Sequence, residues 1–324
     1  MATRTDWRVL SIYLAVAAFA AVALLYLGRQ VINAPPTARE STVATSLNGA
    51  LYASGGRSER LLDDVLRIDP ARRDLSQWAK LPTARQGHGM ASLDGRVYVV
   101  GGYDGKRYLD EILAIDPASA DVRLRGRLSE PWAYGDLVTH DGTLYLVGGW
   151  NGEERSGAVR AIDVNGGAPH EVARLPSPRE FLAAALIDDR LYVVGGEDDN
   201  GLSLDEIVEV DLADGQTRRV GHLEATVNRA SLAAIGDRLY LVGGWRSGPS
   251  DAVVEIDPTA ERMTSRVVGT LARPLIRPGV AALDGTLYII GGEDPEFSRQ
   301  IGIVAFDPST GRMTHLEMRN FLWW

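Results

Sequence analysis

The chain of 324 residues contains no cysteine. Disulfides, thiolate metal sites and cysteine nucleophiles are therefore excluded together. Lysine is almost as scarce: Lys80 and Lys106 stand alone, and arginine supplies every other basic side chain. Acidic residues outnumber basic ones 43 to 34, for a formal charge of -9. That balance lacks the clustered basic footprint of a nucleic-acid binder and the polybasic surface that adheres to anionic lipid. The five histidines (His88, His140, His170, His222, His315) show no metal-ligand spacing. There is no Asn-x-Ser/Thr sequon, no Gly-x-Ser-x-Gly elbow, and no phosphate or dinucleotide loop. Asp198-Asp199-Asn200-Gly201 lacks the alternating ligands of a calcium loop and reads as a turn. The sequence thus leads us to expect no catalytic set, no metal and no cofactor. The Ala/Arg/Gly/Asp-rich usage reads as bacterial.

Charge is also missing from one continuous run, Val9 to Gly28, VLSIYLAVAAFAAVALLYLG. Such a run, at 1.5 Å per residue, matches the roughly 30 Å of a bilayer core. Trp7 and Tyr26 fall near its ends, where aromatic rings favour the interface. Two readings are open, an uncleaved anchor and a cleaved signal peptide. The run continues past Ala21-Val22-Ala23 into Leu24 and Leu25, longer than a signal core of ~7–15 residues, which favours the anchor. Residues 1–8 are then a cytoplasmic tail, 9–28 a transmembrane helix, and 29–38 a linker. Arg4 and Arg8 place the tail inside and the rest of the chain outside the cytoplasm, in a periplasm or at the cell exterior. Arg29, beyond the run, weakens that bias.

Self-similarity governs the rest. Six segments align: LNGALYASGG, LDGRVYVVGG, HDGTLYLVGG, IDDRLYVVGG, IGDRLYLVGG and LDGTLYIIGG. Their glycine pairs begin at Gly55, Gly101, Gly148, Gly195, Gly243 and Gly291, at intervals of 46, 47, 47, 48 and 48 residues. Such a period marks a repeat architecture. Each repeat reads as four strands. A small, apolar first strand leads to a two-residue turn, such as Asn48-Gly49 or Asp94-Gly95, whose type I′ form needs positive φ at both positions. A second strand ends in the glycine pair. A third closes on Asp69, Asp116, Asp163, Asp211, Asp257 or Asp307, which are turn residues. The fourth is shorter and more polar, which protects a sheet edge. One tyrosine per repeat (Tyr52, Tyr98, Tyr145, Tyr192, Tyr240, Tyr288) reads as packing.

The glycine pair, the closing aspartate and the PxxR-like leads PPTAR, LPTAR and LPSPR resemble the kelch repeat family. The resemblance covers about residues 35–320. It implies an all-β fold: a six-bladed kelch-type β-propeller preceded by a single transmembrane helix. The propeller spans 39–320, with blades at about 39–81, 85–128, 132–175, 179–223, 227–271 and 275–319, and an apolar tail at 320–324. Two departures are visible. The residue before the closing aspartate is aliphatic in five repeats rather than aromatic, and only Trp78 supplies a fourth-strand tryptophan. Galactose oxidase shares the architecture, but its cysteine-crosslinked tyrosine cannot form here.

Strands within a blade alternate in direction, so the 1–2 turns share one face and the 2–3 and 4–1 loops the other. The turns are uniform and the loops vary, so the loop face is the candidate site. Counting back ten residues from each turn's second position gives the lead residues Arg39, Arg85, Trp132, Arg179, Val227 and Leu275. Two further on stand Ser41, Gly87, Tyr134, Phe181, Arg229 and Arg277; after the glycine pairs stand Arg57, Tyr103, Trp150, Glu197, Trp245 and Glu293. From these the expected binding mouth comprises Arg39, Arg85, Trp132, Tyr134, Arg179, Arg229, Arg277, Tyr103, Trp150, Trp245 and Asp136. For any single arginine, a salt bridge fixing its loop competes evenly with a ligand contact.

Two functions follow as expectations. The first is a non-catalytic binding module for a protein or peptide partner near the membrane. The second is a carbohydrate mutarotase or epimerase, as resemblance to periplasmic kelch sialic-acid mutarotases implies. There the arginines would take a small acidic sugar, with Glu180, Glu197, Glu293 or Asp136 moving protons. A buried carboxylate with a raised pKa would favour the enzyme, and a broad shallow surface the module. The ten-residue linker directs the loop face toward the membrane. The Phe321-Leu322-Trp323-Trp324 ending either enters the interface or folds back over the seam between blades 1 and 6.

Overall fold

The computed structural model describes residues 39–164, 169–258, 263–294, 302–318 and 320–322, the last as backbone. The chain divides into two units, Met1–Pro36 and Thr37–Trp324. The first, with the apolar run 9–28 on which the membrane anchor rests, lies outside the described residues. Among the described residues there is no helix, hence none long and apolar enough to cross a membrane.

Alternation and turn chemistry give six sheets, each with four antiparallel strands from one continuous stretch of chain, the first also taking a short strand from the C-terminal end. In blade 2, for example, Gly89–Leu93 pairs with Arg96–Val100, which pairs with Glu111–Ile115 and then Val122–Arg127. The first strands are innermost and touch one another around the ring, Val43–Leu47 of blade 1 meeting both Gly89–Leu93 of blade 2 and Gly279–Leu283 of blade 6. The core lies between blades. Val97, Val99, Leu113 and Ile115 of blade 2 pack with Ala50, Tyr52 and Val65 of blade 1, and the other seams are built alike.

All six 1–2 turns have a left-handed first residue, Asn48, Asp94, Asp141, Asp188, Gly236 or Asp284. In four of them the following glycine is left-handed as well, as a type I′ turn requires. Asp188-Asp189 and Gly236-Asp237 depart from that expectation: where the second position is aspartate, its φ is not positive. The closing aspartates act as turn residues. Asp69, Asp116, Asp211 and Asp307 each accept a backbone N–H two or three residues downstream.

The glycine pairs are explained by a bond that recurs six times. The second glycine donates its N–H to the carbonyl of the next blade's lead residue. The bonds run Gly56 to Arg85, Gly102 to Trp132, Gly149 to Arg179, Gly196 to Val227 and Gly244 to Leu275, and Gly292 closes the ring on Arg39, all at 2.8–2.9 Å. Both glycines are left-handed in every blade. A Cβ on Gly102 would lie 2.9 Å from the His88 Cβ and 3.0 Å from the Gln86 carbonyl, so the backbones approach this closely only without one.

The C-terminal strand Asn320–Leu322 runs parallel to the outer strand of blade 1, Asn320 opposite Asp74 and Leu322 opposite Ser76. Its backbone thus lies on the outer edge of the first blade.

Candidate functional site

The lead position holds two kinds of side chain. In blades 1, 2 and 4 it is an arginine with at most 1% of its surface exposed. Each guanidinium reaches sixteen residues ahead to the carbonyl of its own first glycine: Arg39 to Gly55, Arg85 to Gly101 and Arg179 to Gly195. It also pairs with the third-strand acid whose carbonyl takes that glycine's N–H, Asp64 at 2.8 Å, Glu111 at 2.7 Å or Glu206 at 2.8 Å. Trp132 of blade 3 does half the same job, its indole N–H donating to the Gly148 carbonyl at 2.7 Å. Where the lead is not arginine, the partner is not acidic: Ala158, Ala252 and Gly302 stand opposite Trp132, Val227 and Leu275. Arg39, Arg85, Trp132 and Arg179 are therefore placed within the blades as locks, with no surface to offer a ligand.

The position two residues on is different. Ser41, Tyr134, Phe181, Arg229 and Arg277 all have φ between +51° and +58°, alongside Gly87 in blade 2. Around the axis their backbones are strung together. Tyr134 donates to Gly87, Phe181 to Tyr134, Arg229 to Phe181 and Arg277 to Arg229, at 2.6–2.9 Å. This conformation turns their side chains over a funnel on the loop face, which Asp136 also lines.

The funnel rim carries aromatic side chains. Tyr103 packs on Tyr108 at 4.8 Å, Tyr108 meets Tyr134 edge-on at 6.3 Å, and Tyr134 leans on Phe181 at 5.0 Å. The Arg229 guanidinium lies over the Phe181 ring at 3.9 Å, inside cation–π range. Ion pairs are interleaved with these rings along the rim. Arg155 bridges Glu180 at 2.9 Å and Glu197 at 2.8 Å. Arg229 reaches Glu197 at 3.3 Å, and Arg277 lies between Glu40 at 3.3 Å and Glu293 at 3.1 Å. Burial pushes the Glu180 carboxyl up, against the pull of Arg155. Trp150 sits beside Arg155 at 5.7 Å, and Trp245, 40% exposed, stands on the blade 5 loop.

Below the rim lies Asp136, the first residue of its strand. Its two oxygens accept the N–H groups of Leu137 at 2.8 Å and Ala184 of blade 4 at 2.7 Å. Enclosure by protein raises its pKa to about 6, and the two N–H groups only partly oppose this. His88 lines the same funnel and is held neutral, its pKa lowered to about 3 by burial and then by Arg85.

Of the expected mouth, Tyr134, Arg229, Arg277 and Asp136 line the funnel, and Tyr103, Trp150 and Trp245 lie on the loops around it. Sequence reading missed Tyr108 and Arg155. Both pair by a single bridge with the residue after the glycine pair, Tyr103 or Trp150. Equivalent partners follow at four to six residues in the other loops, Leu61, Ser203 and Pro249, and that uneven spacing hides the position.

Fold and site together define a closed six-bladed β-propeller with a funnel at the loop end of its axis. The Kelch motif matches residues 84–120, which is blade 2 from its lead arginine to the turn after its third strand. One of the six repeats thus matches the Kelch motif, and the other five blades are laid out like it. The solved structure titled "Structure of YjhT" superposes with a TM-score of 0.73 at 14% identity, covering 88% of this chain and 98% of that one. At that identity the likeness concerns the fold. No curated protein matches the sequence.

Proposed function

We propose that this propeller is a non-catalytic binding module that takes its ligand at the loop-face funnel. The observation that carries the reading is strain. Glycine adopts φ near +55° freely, and Gly87 does so in blade 2. A bulky side chain there costs on the order of 1 kcal/mol or more. The other blades nevertheless hold Tyr134, Phe181, Arg229 and Arg277, all facing one cavity. The shared backbone bonds need only the conformation, which glycine supplies better, so the side chains are kept for what they touch. The natural ligand is a protein or peptide segment near the membrane to which residues 9–28 would tether the domain, with the propeller outside the cytoplasm. The test uses peptide and glycan arrays probed with the full-length protein in detergent micelles. Phe181→Gly/Arg277→Gly, which relieves strain at two positions, should lose every signal while melting within a few degrees of wild type. Unchanged array binding by that variant would overturn the reading.

A second reading, an acidic-sugar mutarotase or epimerase, is favoured by one observation: Glu180 is buried, raised in pKa and 2.9 Å from Arg155. Against it, Glu40, Glu180, Glu197 and Glu293 outnumber Arg155, Arg229 and Arg277, a poor balance for an anion. Anomer exchange of an acidic sugar, followed by NMR and abolished in Glu180→Gln, would establish it instead.

A further inference from the structure

Asp136 is a charge without a counter-ion. Val43, Gly89, Ala183, Ser231 and Gly279 hold the same place in the other blades, so the repeat does not demand a carboxylate. Both its bonds come from neutral backbone N–H groups, and among the described residues no arginine, lysine or histidine pairs with it. A buried ionised carboxylate in that state is costly. Yet Asp136 is not sealed away: it lines the funnel and also the channel that continues toward the opposite face, so it sits at the waist between them.

Two further polar atoms belong to buried residues lining the same funnel and lack partners, the Ser41 Oγ and the His88 Nδ1. The tautomer of His88 follows from its neighbours. The Ser54 hydroxyl lies 3.3 Å from the Met90 Sδ, which can only accept, and 2.7 Å from the His88 Nε2. Both contacts are hydrogen bonds when Nε2–H donates to Ser54 and Ser54 donates to Met90. Nδ1 then carries a lone pair. Both atoms are nonetheless closed off from the funnel, and a Cβ on Gly55 of blade 1 would lie 3.3 Å from the Nδ1. The acceptor open to a ligand at the floor is therefore the Asp136 carboxylate, and the rim above it carries more glutamate than arginine.

We infer that the floor of the funnel is a subsite for an ammonium group, whose N–H donors the Asp136 carboxylate accepts, and that the module's ligand presents a protonated amine. An ammonium has donors and no acceptor, matching a carboxylate whose two oxygens each accept only one backbone N–H. The aromatic arc of Tyr108, Tyr134 and Phe181 would receive the apolar body attached to the amine. This inference rests on the proposed binding role, and names the ligand's charged end.

The probe is phenethylammonium, with phenethyl alcohol as its neutral counterpart, titrated by calorimetry into the full-length protein in detergent at pH 7.5. The ammonium should bind at least about tenfold more tightly than the alcohol, because charge-assisted hydrogen bonds are the stronger kind. Asp136→Asn should erase that preference and leave alcohol binding unchanged. Where the variant does not fold, wild type alone decides. Its ammonium affinity should fall by about tenfold per unit as pH drops below 6 and Asp136 is protonated, with alcohol affinity flat. The other titratable groups facing the floor do not imitate this: His88 stays neutral, and Arg229 and Tyr134 keep their charge state across that range, while Arg277 is held between Glu40 and Glu293. Glu180 at the rim titrates in the same sense but survives in Asp136→Asn. Equal affinities for both probes, or an ammonium preference that persists in Asp136→Asn, would overturn the inference and leave the binding role standing. No binding of either probe would also overturn it, while the array experiment judges the binding role separately.

Discussion

Replacing Arg85 with alanine tests whether the lead arginines are locks. The side chain is fully buried, pairs with Glu111 at 2.7 Å, and donates to the carbonyls of Gly101 at 2.9 Å and Thr83 at 3.1 Å. Its removal strands the Glu111 carboxylate and orphans the Gly101 carbonyl in a new cavity. Breaking one side of a buried pair costs about 3–5 kcal/mol. For a domain of this size that corresponds to a melting temperature lower by roughly 6–15 °C. Adding Glu111→Ala removes the unpaired charge and should return about 1–3 kcal/mol. Blade 3 supplies a fuller cure: Arg85→Trp with Glu111→Ala recreates the Trp132–Ala158 pair, whose indole N–H reaches the equivalent carbonyl. That variant should melt within a few degrees of wild type. The assay is calorimetric melting of the full chain beside denaturant titration. A loss below about 1 kcal/mol for Arg85→Ala, or a double variant less stable than the single one, would refute the reasoning.

Three other outcomes are expected. Gly102→Ala should destabilise by roughly 3 kcal/mol or more, because its φ of +103° and the His88 Cβ at 2.9 Å both oppose a methyl group. Gly95→Ala, left-handed but in open space, should cost only about 1 kcal/mol by denaturant titration. His88 and Asp136 give stability opposite pH dependences. The histidine's contribution, present above about pH 6.5, is lost as pH falls toward its depressed value of about 3. The aspartate's, present below about pH 3.9, is lost as pH rises through its elevated value of about 6. Between pH 7 and 5, His88→Gln should therefore gain unfolding free energy on acidification relative to wild type, and Asp136→Asn should lose it. Finally, deleting residues 320–324 should speed hydrogen exchange along Asp74–Lys80, the strand that Asn320–Leu322 covers, and leave the outer strand of blade 4 unchanged.

The register of this fold was legible because three signals run in phase. Turn, glycine pair and closing aspartate recur at nearly fixed spacing, and the lead, left-handed and post-glycine positions counted from them are the ones the hydrogen bonds join. The direction of a side chain at those positions was not legible from spacing. Arg85 and Arg229 look alike as letters two places apart in a repeat. One turns inward to Glu111, and the other, on left-handed backbone, turns over the funnel. A clue was present: the position that accepts the first glycine's N–H is an acid in the three arginine-led blades and alanine or glycine in the rest. Trp132 misled because a loop tryptophan suggests exposure, whereas its N–H replaces a guanidinium in the seam. The membrane run, linker and terminal tryptophans lie outside the described residues.

The six seam bonds are chemically equivalent, but they do not become available together as the chain is made. Apart from Asn320–Leu322, which joins the outer edge of blade 1 last, each blade is one unbroken stretch whose strand pairings are local, and each seam from Gly56 to Gly244 joins a finished blade to the next one emerging. Local contacts form early and cheaply. The sixth seam alone, Gly292 to Arg39, reaches from the last blade back to the first. During synthesis the Arg39 carbonyl and the inner edge of blade 1 therefore wait uncovered until translation is nearly done. The nascent protein is an open, curved stack with two raw ends, and those ends, not the interior seams, are where a chaperone would be needed and where neighbouring ribosomes' products would cross-pair.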